Sequence, residues 1–64
     1  MTANSLLDNA QHVVDSITIA NKFGDEFNAV GSLIQTFNSY SRLYERLTGK
    51  KLIVVNGRVE EVTA

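Results

Sequence analysis

The segment KLIVVNGRVEEV, Lys51–Val62, constrains this chain more than any other. Two strand-like runs flank Asn56-Gly57. Asn-Gly is the strongest short-range hairpin signal, because a type I′ turn needs φ > 0 at both central residues. A two-residue loop there sets the register. Val54 faces Val59 and Leu52 faces Glu61 on one side; Val55 faces Arg58, Ile53 faces Glu60 and Lys51 faces Val62 on the other. Each side is half apolar, so neither is a clean solvent face. A lone two-stranded ribbon is marginal in water, and its faces and edges call for cover. Hairpins of neighbouring subunits could supply it by forming an intersubunit sheet or barrel. The alternative is a hairpin lying on its own helices with some apolar surface left open.

Size sharpens that need. A chain of 64 residues buries only about 60% of its unfolded surface and is marginal alone without disulfides, metal or partners. There is no cysteine and one histidine, which removes disulfides and thiolate metal sites and leaves a histidine site only to symmetry-related copies. The absence of cysteine fits a reducing compartment. The formal net charge of −1 provides no global pull towards nucleic acid or membrane. No apolar run approaches the roughly 18 residues of a membrane span, and MTANSLLDNA lacks the basic flank and apolar core of a signal peptide. The expectation is one small cytoplasmic domain over residues 1–64, with no membrane contact and no cofactor.

Ahead of the hairpin the spacing is helical. A first helix over about 5–23 is predicted, capped by Asn4 or Ser5, with Asp8 at the reach-back position of a capping box. Its seam is Leu6, Ala10, Val13, Ile17 and Ala20, with Leu7 and Val14 widening the stripe. Ile19 lies off that stripe, which predicts partial cover on a second side. Gly24 is expected as the left-handed residue after the helix, with Lys22 near its negative end. Asp25 caps the second helix, over about 25–48, and Glu26 falls in its first turn. The short connection predicts an antiparallel helical hairpin.

The second helix carries two overlapping seams: Phe27, Val30, Ile34, Phe37, Ser41, Tyr44, and Val30, Leu33, Phe37, Tyr40, Tyr44, Leu47. One partner needs one seam; two imply neighbours on two sides. Gly31 inside this helix costs up to about 1 kcal/mol relative to alanine, either to let another backbone approach or by neutral drift. From Phe27 to Ser41 there is no charged residue. A solvated helix face ordinarily carries Lys and Glu, whereas uncharged polar side chains suit a wet interface or a narrow lumen. The predicted oligomer interface is therefore Val30, Leu33, Ile34, Phe37, Tyr40 and Tyr44 with Leu52, Val54 and Val59 of the hairpin.

No constellation points to catalysis. His12 has no Cys or Glu-x-x-His partner, the hydroxyl residues form no Ser/His/Asp spacing or nucleophile elbow, and no glycine loop could cradle a phosphate. A non-enzymatic protein is expected. Charge is segregated: residues 1–41 hold one Lys and four acids, whereas residues 42–64 hold five basic residues and three acids. Arg42, Arg46 and Lys50 follow at spacing four and are candidate phosphate contacts. Cations at a helix C-terminus are also expected from the dipole alone, and Glu45 dilutes the stripe.

An antiparallel helical pair with a longer second helix, then the junction and hairpin SRLYERLTGKKLIVVNGRVEEV, resembles the oligomerisation core of tailed-phage small terminase subunits. The resemblance covers most of the chain and is carried by element order, with no diagnostic motif. It implies helices packed side by side into a ring and C-terminal strands building a barrel around a channel. It also implies a role in viral DNA packaging, with DNA or a packaging motor protein as partner and no ATPase residues. That family's N-terminal helix-turn-helix has no counterpart here, so the chain is either an excised core or alike in architecture alone. Three classes follow: a self-assembling module, a helical nucleic-acid-binding dimer, and an inhibitor or adaptor that adds its hairpin to a partner's sheet edge.

Overall fold

A computed structural model describes residues 2–24 and 29–63. The chain is mainly helical, with a C-terminal antiparallel β-hairpin: α1 (Ala3–Phe23), α2 (Ala29–Thr48), β1 (Lys50–Val55) and β2 (Arg58–Thr63). The Asp25 cap, Glu26 and the Phe27 seam position lie outside the described residues.

Helix α1 starts earlier than the sequence predicts. Thr2, not Asn4 or Ser5, is the cap: it is extended and its Oγ1 accepts the Ser5 N–H at 3.1 Å, while the Leu6 N–H reaches the Thr2 carbonyl. Asp8 consequently falls beyond the first turn, which contains no acid. At the other end Gly24 does take positive φ (81°), but its ψ of 127° lies outside the left-handed helical region expected there.

The hairpin follows its turn chemistry. Asn56 and Gly57 both have positive φ, 52° and 79°, and the pairs are those a two-residue loop dictates, from Val55↔Arg58 to Lys51↔Val62. One further pair, Lys50↔Thr63, extends the ribbon. Gly49, at φ 74°, breaks α2 and turns the chain into β1. Its N–H closes a last helical bond to Glu45 at 2.8 Å, and the Thr48 hydroxyl accepts the Lys50 N–H.

The three elements meet in one small core. Leu6, Ala10, Tyr44 and Leu52 form it, with Ala3, Leu7, Phe37, Tyr40 and Val59 packed around. Val14 is the other buried apolar residue among those described. Here the sequence seam needs a correction. It placed Val13 between Ala10 and Ile17, yet the buried row is Leu6, Ala10, Val14. A seam of alternating threes and fours serves one partner helix; α1 also faces the hairpin, which moves its buried stripe towards Val14. Ile19 is exposed, so no second side of α1 is covered there by the described residues.

Lengths explain what stays uncovered. Helices of about 20 residues span about 30 Å, whereas six-residue strands reach about 20 Å, and the molecule measures 36 × 20 × 17 Å. The ribbon covers the end of the helical pair near Leu6 and Tyr44 and stops at its turn, beside Val14 and Phe37.

Candidate interaction surface

Polar contacts fix the hairpin on the helices at two points. At the turn, Gln11 of α1 acts as a substitute strand. Its Nε2 donates to the Gly57 carbonyl at 3.0 Å and to Asp15 Oδ1 at 3.0 Å, and its Oε1 accepts the Val59 N–H at 2.8 Å. At the open end, the buried Tyr44 hydroxyl donates to the Glu61 carboxylate, which also pairs with Lys50 Nζ at 3.3 Å. The Tyr44 bond, joined by Lys50, holds the Glu61 carboxyl below its ordinary value. The same bond, together with burial and the adjacent negative charge, pushes the Tyr44 phenol above its own.

The two edges of the ribbon differ as a result. With Val55↔Arg58 closing the loop, the N–H and C=O of Leu52 and Val54 point to the free edge of β1, and those of Val59 and Glu61 to that of β2. Gln11 blunts the β2 edge at Val59. Nothing equivalent reaches Leu52 or Val54 among the described residues.

The predicted interface residues divide into three groups. Tyr44 and Leu52 lie inside the chain's own core. Val30, Leu33, Phe37, Tyr40 and Val59 are half-buried, and Phe37, Tyr40 and Val59 of these flank that core. Ile34 and Val54 remain open, each 47% exposed, and border an apolar cleft of about 330 Å³ beyond the hairpin turn with Val14, Ile17 and Phe37. Further apolar surface escaped the sequence assignment: Ile53, Val55 and Val62 on the outer face of the ribbon, Phe23 at the end of α1, and Leu43 on α2.

Of the candidate phosphate contacts, Arg42 and Arg46 are exposed and flank a shallow depression with Glu45 between them. Lys50 is drawn away into the ion pair with Glu61. His12 is exposed and its carbonyl accepts the Ser16 hydroxyl. Among the described residues no three His, Cys, Asp or Glu gather as a metal site, and no helix is long and apolar enough to cross a membrane.

Comparison with family models, with curated proteins and with solved structures finds no match.

Proposed function

We propose that this chain is a self-assembly module whose task is to join copies of itself, without catalysis. The observation that supports it most is the imbalance between core and surface. Among the described residues five apolar side chains are buried, while nine large ones stay open across both helices and the hairpin. The exposed area of 4618 Å² exceeds the roughly 4,100 Å² typical of a compact monomer of 7.1 kDa. Open apolar surface on this scale suits association, and a core this small gains stability from it.

The small-terminase resemblance gives one specific form of that assembly. A ring of six or more chains would support it, and with it a part in viral DNA packaging in the host cytoplasm; a dimer would support simple pairing. The nucleic-acid-binding dimer is less favoured, because Lys50 is already paired and Glu45 sits between the two arginines. Size-exclusion chromatography with light scattering tests the reading. The expected result is a mass that is a multiple of 7.1 kDa at micromolar concentration; a chain that stays monomeric up to millimolar concentration would refute it.

A further inference from the structure

We infer that Asn56 is a site of self-modification. When the hairpin turn opens, the Gly57 backbone nitrogen closes onto the Asn56 side-chain amide, and the isoaspartyl product cannot rebuild the turn that Gln11 holds.

The chemistry is set by this pair of residues. Six asparagines occur, and Asn56 alone precedes a glycine. Attack on an asparagine side chain by the next backbone nitrogen is hindered by that next residue's own side chain, which Gly57 lacks. The surroundings of Gly57 are also clear, since a Cβ built there would meet no atom within 4 Å. Asn56 itself is exposed. The other described asparagines, Asn4, Asn9, Asn21 and Asn38, lie inside α1 and α2, where the helical bonds fix the backbone.

The reaction balances with water alone. The Gly57 N–H gives its proton to hydroxide, and the nitrogen attacks Asn56 Cγ. The new Cγ–N bond closes a five-membered succinimide as the Cγ–Nδ2 bond breaks, and Nδ2 leaves as ammonia. Water then opens the ring. Cleavage of the Cγ–N bond leaves aspartate. Cleavage between the Gly57 nitrogen and the Asn56 main-chain carbonyl carbon leaves isoaspartate, with the chain now running through Cβ and Cγ. In sum, one amide and one water give one carboxylic acid and one ammonia.

The folded turn holds this reaction back. Asn56 and Gly57 have φ of 52° and 79°, and Val55↔Arg58 closes the loop. The turn is therefore type I′, with ψ of about +30° at its first central residue. At that angle Asn56 Cβ and the Gly57 nitrogen lie nearly opposite each other across the Cα–C bond. Ring closure needs them on the same side. Asn56 must swing through almost half a turn, which breaks the bond that the Gly57 carbonyl accepts from Gln11 Nε2 at 3.0 Å. The two products differ in what they restore. Asp-Gly suits the same turn, whereas isoaspartate adds a chain atom to a loop whose length fixes the register. The Val55↔Arg58 pair and the Gln11 contacts are lost with it.

The test uses the full chain at mildly alkaline pH, followed by intact mass, peptide mapping and enzymatic methylation of isoaspartate. Asn56 should gain one mass unit and release ammonia, faster as pH rises because hydroxide takes the Gly57 proton. Conversion should be slowest in the folded chain, faster in Gln11→Ala and fastest in urea. One net hydrogen bond is worth about two- to twelvefold in an opening equilibrium, and that is the acceleration expected of Gln11→Ala. If this variant does not fold, the unmodified chain in rising urea decides, since its rate should climb towards the unfolded value. Equal rates in buffer and in urea would overturn control by the turn, as would a folded Gln11→Ala chain that converts no faster. An Asn56 that stays intact in urea would overturn the site itself. The separated isoaspartyl chain should lose amide protection at Val59, while Asn56→Asp keeps it; protection retained in the isoaspartyl chain would overturn the claim that the turn cannot re-form.

Discussion

Gln11→Ala is the perturbation that most sharply tests how the hairpin is held. The Gln11 amide makes two hydrogen bonds to hairpin backbone, one as donor to the Gly57 carbonyl and one as acceptor from the Val59 N–H. A net hydrogen bond contributes about 0.5–1.5 kcal/mol. Both groups lie near the surface and regain water when the amide is removed, so the lower half of the range applies. The pair should then be worth about 1–2 kcal/mol, a large fraction of the stability of so small a domain. Urea unfolding followed by far-UV circular dichroism gives that number, and amide exchange at Val59 reports the site directly. The Val59 N–H should lose protection while the Arg58 N–H, bonded across the ladder to Val55, changes less. Gln11→Glu should do no better than alanine at neutral pH. A carboxylate still accepts from Val59 but cannot donate to Gly57, and it stands beside Asp15. Unchanged stability together with unchanged Val59 exchange would refute the clamp.

Three other perturbations follow from the core, the carboxylate and the turn. Leu6→Ala empties the centre of the core, where Leu6 is 1% exposed. It should cost about 3–5 kcal/mol and leave the chain largely unfolded in a thermal melt; a loss under about 1 kcal/mol would mean that the core is elsewhere. Glu61, held below its ordinary value, contributes stability that is present above the unfolded carboxyl range and lost as pH falls through its lower folded value. Tyr44, held above its ordinary value by the bond to Glu61, contributes stability that is present below its unfolded value and lost as pH rises through the folded one. Tyr44→Phe should flatten both limbs of a stability–pH profile, and an identical profile would dismiss the Tyr44–Glu61 bond. Gly57→Ala, forced to positive φ (79°), should cost about 1 kcal/mol, seen as a lower urea midpoint with unchanged slope.

Much of this architecture is legible because it rests on local chemistry. Asn56-Gly57 dictates positive φ at two positions, and register follows from loop length, so every hairpin pair from Val55↔Arg58 to Lys51↔Val62 could be written down in advance. The two helices were equally plain in the apolar spacing. What was not legible depends on where a third element lands. Val14 replaces Val13 in the buried row because the hairpin lies on that flank of α1. Gln11 looks like any exposed polar residue until the turn arrives above it. The removal of Lys50 from the basic stripe follows from one extra strand pair, Lys50↔Thr63, which places it diagonal to Glu61 on the same face. The spacing does not single out Thr2 as the cap, because Asn4 and Ser5 are equally good capping residues, and only the path of the chain chooses. Of the open apolar residues, Ile34 and Val54 belong to the interface expected from the spacing, whereas Leu43 falls in neither seam of α2 and shows as surface only once the helix is packed.

The most direct measurement of the central claim is the melting temperature as a function of protein concentration. If the chain folds and assembles together, mass action stabilises the assembled state by about RT ln 100, roughly 2.7 kcal/mol per dimer, over a hundredfold rise in concentration. For two chains of this size that corresponds to an increase of about 5–10 °C. A melting temperature that does not move over the same hundredfold range would contradict self-assembly as the source of this protein's stability.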